Sequence, residues 1–271
     1  YGIIDQDNVK RRKFYEVQSF FKEMKENEAL TQSEVKSDVA VVYDYESMAS
    51  FRIQRQSFLM DYKQEVYRLY RPFYKKNINM DVIPSDSDFD KYKVLLLPVM
   101  IVHKKEVQDK VRKFVSGGGT VVFTYRTAVK DYYNNLTLGQ FNPTYYTDLV
   151  GGYVEEVESF QDDQVAFLIG NEEFEGINGT ATVFRDMLKT TTAKTLFKYE
   201  DEFFEDLAAV TLNEYEGGKV YYIGSGADNT IMDAITNKII NESNLDAIES
   251  EEGVEVVRRS LNNEDYYFVM N

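Results

Sequence analysis

Paired carboxylates are the side chains of this sequence whose types and spacing could do chemistry. Five acidic pairs lie close together along the chain: Asp44/Glu46, Glu155/Glu156, Asp162/Asp163, Glu172/Glu173 and Glu205/Asp206. Two carboxyl groups can cleave a glycosidic bond when they flank it and one of them has a raised pKa. Such partners usually come from distant parts of a chain, so proximity in sequence is no evidence for them. The first pair differs from the others because it follows an apolar run typical of a buried strand.

Other patterns that resemble known sites fail on their spacing. An aspartate series at 86–90 opens like a calcium loop, but its sixth and twelfth positions hold Lys91 and Leu97 instead of Gly and Glu. The glycines at 117–119 follow a predicted helix and precede a strand, which is the reverse of a phosphate-binding loop. The chain has no cysteine and a single histidine, His103, which excludes thiolate chemistry and most His-based metal sites. We therefore predict no catalytic residue, no metal and no cofactor.

Composition and charge indicate a folded, acidic protein. Of its 271 residues, 43% are hydrophobic, which is ample for a core. The formal net charge of -15 disfavours binding to nucleic acid or to anionic membranes. No apolar run is long enough to cross a bilayer, since Leu95–Val102 is far too short. The lack of cysteine fits a reducing cytoplasm, which is the predicted location, and the start at Tyr1 suggests a piece of a longer protein.

The elements that must position Asp44 and Glu46 alternate between strands and helices. Buried or half-buried strands are predicted at Val39–Tyr43, Met80–Ile83, Val94–Pro98 and Thr120–Thr124, with amphipathic helices at Ser57–Lys76 and Lys104–Ser116. Such a series predicts a parallel sheet with right-handed crossovers. The loops at the carboxyl ends of the strands form the working edge of such a sheet, so Asp44 and Tyr125 are expected at the same edge.

The remaining segments predict a β-rich extension and two less regular regions. Short strands are predicted at Val154–Val157, Val165–Ile169, Ala181–Val183, Thr195–Tyr199, Ala208–Asn213 and Lys219–Gly224. Helices are predicted at about 10–26 and at Thr230–Asn241, and a hairpin at Gly253–Arg259 and Tyr266–Met270. The loop at 126–152 is rich in aromatic residues, which could form an interface, a platform for sugars, or simply pack on one another.

Several segments together resemble family 42 glycoside hydrolases, the microbial β-galactosidases. The most specific is Phe114-Val115-Ser116-Gly117-Gly118-Gly119-Thr120-Val121-Val122-Phe123-Thr124-Tyr125-Arg126, and Ser37-Asp38-Val39-Ala40-Val41-Val42-Tyr43-Asp44-Tyr45-Glu46-Ser47 is similar to the opening of the family's trimerisation domain. The lead-in at 1–17 resembles the exit of the family's catalytic barrel, and Val254–Arg259 the entry to its small C-terminal β domain. The family's tryptophans are missing, since the chain has no Trp.

The resemblance implies the domain organisation and the fold. Residues 1–36 would be a barrel-exit linker and helix, 37–247 a trimerisation domain, and 248–271 the start of the small β domain. The middle domain would have a flavodoxin-like open sheet, similar to class I glutamine amidotransferases. The strand end at Phe123–Arg126 lacks the Cys nucleophile of real amidotransferases, so that activity is not expected.

The resemblance also implies a function without a complete active site. In this family two barrel glutamates hydrolyse terminal β-D-galactosides with retention, and no such barrel is present here. We therefore expect a non-catalytic assembly region that forms a homotrimer and packs beside the missing barrel. The candidates for a lip near a neighbour's substrate pocket, or for a subunit contact, are Asp44, Tyr45, Glu46, Tyr125 and Arg126. The alternatives are a free-standing galactoside-binding module and, with less support, an independent hydrolase.

Overall fold

The computed structural model describes residues 2–271, and the chain forms two compact units. The larger unit spans Ser37–Glu249, and the smaller combines residues up to Lys36 with Ser250–Asn271. In chain order the helices are α1 (Arg12–Glu26), α2 (Glu28–Gln32), α3 (Tyr45–Ile53), α4 (Tyr62–Tyr74), α5 (Lys105–Ser116), α6 (Thr147–Val150) and α7 (Asn229–Glu242). The strands are β1 (Glu34–Val35), β2 (Val39–Val42), β3 (Met80–Ile83), β4 (Val94–Leu97), β5 (Thr120–Thr124), β6 (Gly152–Ser159), β7 (Ala166–Gly170), β8 (Asn178–Thr190), β9 (Lys194–Tyr199), β10 (Ala208–Tyr215), β11 (Gly218–Ile223), β12 (Ser225–Ala227), β13 (Glu255–Leu261) and β14 (Glu264–Met270).

Five parallel strands form one half of the large sheet, in the order β3-β2-β4-β5-β11. Val39 pairs with Met80 on one side and with Val94 on the other, and Thr120 pairs with Val94 and Lys219. The apolar runs of β2, β4 and β5 are buried along their whole length, as a sheet covered on both faces requires. The predicted α/β class and the parallel series are confirmed.

Antiparallel strands extend the same sheet to eleven strands. Beyond β11 the order continues β10-β9-β7-β8-β12, with β6 paired to β8. β8 runs over 13 residues, far longer than the predicted Ala181–Val183, because it pairs with β6, β7 and β12 along its length. The hairpin between β10 and β11 turns at Glu216 and Gly217, which both have positive φ, as a two-residue hairpin turn needs.

The two faces of the sheet pack against different helices. Val39 and Val41 share a core cluster with Leu69 of α4 and Ile235 of α7. Alternation along β2 turns Ala40 and Val42 to the opposite face, where they share a core with residues of α5 and α6. The large unit therefore has three layers, with the sheet between two layers of helices.

Helix α3 and the start of α4 differ from the sequence prediction. The predicted helix Ser57–Lys76 begins only at Tyr62, because the Asp61 carboxylate accepts hydrogen bonds from the next helical N–H groups at 2.9 and 3.3 Å. This is the usual action of an N-cap residue. The sequence did not predict α3, whose buried residues are Ser47, Ser50 and Phe51. Two serines and one aromatic residue give no apolar stripe to recognise.

In the smaller unit a strand from the first forty residues pairs with the hairpin formed by the last strands of the sequence. Strand β1 pairs antiparallel with β13, and β13 with β14, to give a three-stranded sheet. The Arg259 guanidinium donates to the Ser33 hydroxyl and to its carbonyl oxygen. Helix α1 matches the predicted helix at 10–26 and buries none of its residues. The pairing of β1 with β13 was not predicted, since more than two hundred residues of chain separate the partners.

Candidate functional site

Asp44 lies in the loop after β2 and anchors the start of α3. Its carboxylate accepts a hydrogen bond from the backbone N–H of Ser47 at 2.9 Å and one from the hydroxyl of Ser85 at 2.8 Å. The backbone N–H of Asp44 donates to the Tyr62 hydroxyl at 2.8 Å. The residue is 1% exposed. Asp44 is thus an interior N-cap, which satisfies one of the free N–H groups of α3.

Glu46 forms an ion pair across two loops of the carboxyl edge. The Lys104 ammonium, in the loop after β4, lies 2.8 Å from Oε2 of Glu46 and 3.7 Å from Oδ1 of Asp44. Partial burial alone would raise the pKa of Glu46. The hydrogen bond and the positive charge of Lys104 outweigh that effect and hold the pKa of Glu46 below its ordinary value. Burial alone would lower the pKa of Lys104, but the hydrogen bond and the negative charge of Glu46 outweigh that effect, so the pKa of this lysine is raised. Both groups are charged at neutral pH.

Exposed aromatic rings surround this ion pair. Tyr45 is 63% exposed and contacts the Tyr43 ring edge to face, with centroids 5.2 Å apart. The Lys104 ammonium also lies 5.9 Å from the centre of the Tyr132 ring, within the range of a cation–π contact. Tyr45, Glu46 and Lys104 therefore lie together at this edge, with Tyr45 exposed and the two charged side chains partly buried. The sequence analysis did not single out Lys104, although its place in the loop after β4 puts it at the same edge.

Tyr125, by contrast, is a core residue. It has no exposed surface, and its ring lies 5.5 Å from that of Phe184. Its hydroxyl approaches the Met60 sulfur at 3.8 Å. Burial, together with the Glu65 carboxylate, raises the pKa of Tyr125 far above its ordinary value. In this conformation Tyr125 has no surface with which to contact another molecule.

Arg126 connects the end of β5 to two other elements. Its backbone has a left-handed φ of 60°, and its N–H donates to Oδ2 of Asp186 at 2.7 Å. Its guanidinium donates to Oε1 of Gln56 at 2.9 and 3.2 Å and lies 5.7 Å from the Phe184 ring. Arg126 is half-buried. Its cation is thus held in place by a neutral amide and an aromatic face.

Asp186 is the buried acid beneath Arg126. Besides the Arg126 N–H, its Oδ2 accepts a hydrogen bond from the Tyr222 hydroxyl at 2.7 Å. Its Oδ1 is buried without a hydrogen-bond partner among the described residues. Complete burial raises the pKa of Asp186, and the Arg126 charge offsets only part of that effect. Asp186 was not predicted as a site residue, because only Ala181–Val183 was predicted as a strand and β8 continues to Thr190.

The segment at 126–152 is fixed at its start and exposed beyond. Lys130 is buried, and its ammonium donates to Ser50 of α3 at 3.2 Å and to Oδ1 of Asn134 at 3.1 Å. Burial, with the Arg126 charge, lowers the pKa of Lys130. The exposed large side chains farther along are Tyr132, Tyr133, Leu136, Leu138, Phe141 and Tyr145. An apolar surface of this kind, carried by an anchored loop, is typical of an interaction site.

The two carboxylates of this edge that the sequence singles out are both engaged in contacts within the chain. Asp44 is engaged as a helix cap and Glu46 in an ion pair with Lys104. Within residues 2–271 no group of three or more His, Asp or Glu side chains could hold a metal ion. Across the same residues, no helix is both long and apolar enough to pass through a membrane. The structure brings Tyr45, Glu46 and Arg126 to the surface and leaves Asp44 and Tyr125 beneath it.

Known proteins match this chain over most of its length. The family model described as the β-galactosidase trimerisation domain matches residues 37–246. The β-galactosidase BgaA of Clostridium cellulovorans is 30% identical over 251 residues, which are 90% of this chain and 37% of that protein. The β-galactosidase BgaP of Planococcus sp. strain L4 is 27% identical and matches 96% of this chain and 39% of its own length.

A solved structure also matches the fold of this chain. The β-galactosidase from Bacillus circulans sp. alkalophilus has a TM-score of 0.89 and 26% identity, and the match covers all of this chain and 41% of that one. The chain thus spans about two fifths of the length of the relatives it matches.

Proposed function

Because the chain belongs to the β-galactosidase trimerisation domain family, we propose that it is the non-catalytic assembly region of such an enzyme. The observation that carries the proposal is the family match over residues 37–246, in a chain that spans only 37–39% of the related enzymes. The assembly would be a homotrimer. The rest of the enzyme would supply a catalytic barrel with two glutamates that hydrolyse terminal β-D-galactosides with retention. The absence of cysteine supports a cytoplasmic location.

The strand order supports the finer description of the fold. Numbered by their order in the chain, the parallel strands β3-β2-β4-β5-β11 follow the sequence 2-1-3-4-5 of flavodoxin-like sheets. We propose this flavodoxin-like, amidotransferase-like arrangement for the large unit. The turn at Phe123–Arg126, where an amidotransferase has its Cys nucleophile, would instead carry contact residues.

The proposed place of contact is the carboxyl edge of the sheet, where some of the candidate residues are at the surface and the others lie beneath it. Tyr45, Glu46 and Arg126 reach the surface and would form the lip toward a neighbouring subunit. Asp44 and Tyr125 would support this lip from the interior. Asp44 caps the helix that carries Glu46, and the buried Tyr125 directly precedes Arg126 in the chain. Parallel strands gather such loops at one edge, which is where α/β proteins usually bind their partners.

A paired experiment separates assembly from the alternatives. Calorimetric titration of the chain with galactose and lactose should give no saturable heat, and an aryl galactoside should not be hydrolysed. Light scattering on the same samples should give a mass above that of one chain. Saturable heat from a monomeric sample would overturn the proposal and favour a galactoside-binding module, for which the exposed aromatic side chains at 132–145 are the supporting observation. Turnover would favour an independent hydrolase.

A further inference from the structure

A groove between the end of α3 and the start of α4 combines an exposed aromatic ring with positive charge. Its volume is 480 Å³. Its lining includes Met48, Phe58, Met60, Arg52, Arg55 and Lys63, and this set is called the basic groove. Phe58 is 78% exposed, so a large apolar surface is open to solvent beside the cations. Apolar patches with a polar rim commonly mark interaction sites.

The cations of the basic groove lack partners within the chain. The side chains of Arg52, Arg55 and Lys63 are exposed and form no ion pair or hydrogen bond with any of the residues 2–271. One carboxylate, Asp61, also lines the groove, but it accepts hydrogen bonds from the first N–H groups of α4. The chain as a whole has a net charge of -15, so three unpaired cations in one place form a positive patch on an acidic protein. They fit an acidic partner.

The same chain carries a surface of opposite character. The turn from β9 to β10, residues 200–206, has the sequence Glu-Asp-Glu-Phe-Phe-Glu-Asp and is called the acidic knob. Phe203 at its tip is 93% exposed. The side chains of Glu202, Glu205 and Asp206 are exposed and have no partner in the described part of the chain. An exposed aromatic ring with carboxylates beside it thus complements a groove that offers an exposed aromatic ring with cations beside it.

The acidic knob is held in shape before any partner arrives. Asp201 forms an ion pair with Arg185 at 3.0 Å and accepts a hydrogen bond from the backbone N–H of Phe203 at 3.0 Å. The Arg185 guanidinium also lies 4.9 Å from the centre of the Phe204 ring. These contacts turn Phe204 inward and leave Phe203 projecting. A preorganised loop loses less conformational entropy on binding.

Both surfaces lie at the carboxyl edge of the sheet. β9 is antiparallel to β10, and β10 is antiparallel to β11, so β9 runs in the direction of β5 and ends at that edge. Two successive contacts connect the two surfaces. Ser57, in the segment that forms the groove, donates to the Phe160 carbonyl at 3.2 Å, and the Arg185 guanidinium that holds the knob lies 5.8 Å from the centre of the Phe160 ring. A three-membered ring requires two different, complementary surfaces near one axis on every copy.

We propose that the acidic knob of one copy of this chain docks into the basic groove of the next, with Phe203 against Phe58, and that three such contacts close the ring. The inference rests on the proposed trimerisation and specifies which surfaces meet. The occupant is a second copy because the chain itself carries the complementary charge and ring. The contact is heterologous, so each copy uses one knob and one groove.

Charge reversal tests the contact in the full chain. Arg55→Glu alone and the double variant Glu202→Lys/Glu205→Lys should each weaken association at least about tenfold, because like charges then face each other. Combining all three changes should restore most of it. Lys189→Glu and Glu155→Lys reverse exposed charges elsewhere and serve as matched controls. Sedimentation gives the association constant, and circular dichroism reports that each variant is folded.

Cross-linking gives a second readout that does not depend on affinity. The chain has no cysteine, so Arg55→Cys and Glu202→Cys chains can be mixed and treated with a bis-maleimide. A covalent dimer should form in the mixture and not when Val82→Cys replaces either chain. Unweakened association of the reversed variants, or no dimer above control, overturns the docking while a wild-type trimer keeps the proposed function. A wild-type chain that is monomeric throughout overturns both.

Discussion

Replacing Asp44 with alanine should destabilise the large unit more than its position in a loop suggests. The carboxylate caps α3 through the Ser47 N–H and also accepts the Ser85 hydroxyl, and it is almost fully buried. Loss of an N-cap costs about 1 kcal/mol, and a buried hydroxyl left without its acceptor costs about 1–3 kcal/mol. The expected loss for Asp44→Ala is therefore about 2–4 kcal/mol.

Asp44→Asn is the matched control. Its side-chain carbonyl can still accept from the Ser47 N–H, and the Ser85 hydroxyl can reverse and accept from the new amide. Its main loss is the charge that faces Lys104 at 3.7 Å. We expect the asparagine variant to lose about half of what the alanine variant loses, about 1–2 kcal/mol.

Urea unfolding followed by circular dichroism, at one fixed protein concentration, measures both variants. A shift in the midpoint with an unchanged slope reports a change in stability, and the fixed concentration removes the contribution of assembly. In a thermal scan a loss of about 3 kcal/mol corresponds to a decrease of about 6–12 °C in Tm for a unit of this size. If Asp44→Ala stayed within about 0.5 kcal/mol of the wild type, the assignment of Asp44 as a buried anchor would be refuted.

In the proposed parent enzyme, Glu46→Ala should weaken the proposed trimer or lower kcat/KM, because it removes the partner of Lys104 at the proposed lip; equal mass and kcat/KM in variant and wild type would contradict the lip. Glu242, whose pKa is lowered to about 2 by hydrogen bonds that outweigh burial, should stabilise the fold by up to about 3 kcal/mol above pH 4.5 relative to Glu242→Gln. That advantage should disappear as the pH falls toward 2, and a constant difference in urea unfolding would count against it. Asp186→Asn should be at least as stable as the wild type at pH 8, because burial raises the pKa of Asp186 and its charged form costs stability. The advantage should shrink as the pH falls and Asp186 takes up its proton; an advantage that grows toward low pH would be the wrong sign.

The parallel half of the fold could be predicted because its signals are local. Met80–Ile83 and Thr120–Thr124 appear as strands with the predicted bounds, since each is a short apolar run between polar or glycine-rich stretches. In the antiparallel half β6, β7, β9 and β10 also appear within two residues of their predicted bounds, and the large difference is confined to β8. The run at 181–183 gave only the centre of β8, whose remaining residues become a strand through pairing with β6, β7 and β12, and pairing partners distant in sequence leave no local pattern.

The same distinction applies to the candidate site. Asp44 and Glu46 could be placed at the edge because they follow a buried strand directly. Their partners could not, since Lys104 reaches Glu46 only when the loops after β2 and β4 are folded side by side. Nor does any sequence pattern distinguish Tyr125, which is fully buried, from Tyr45, which is 63% exposed. The burial of Tyr125 follows from its packing against Phe184.

Sedimentation equilibrium of the chain over a wide concentration range tests the proposed homotrimer. We expect a mass three times the 31.5 kDa of one chain, reached through a concentration-dependent equilibrium. The charge reversals at Arg55 or at Glu202 and Glu205 should shift that equilibrium toward the monomer. A mass of one chain at every concentration would contradict the assignment of these residues as an assembly region.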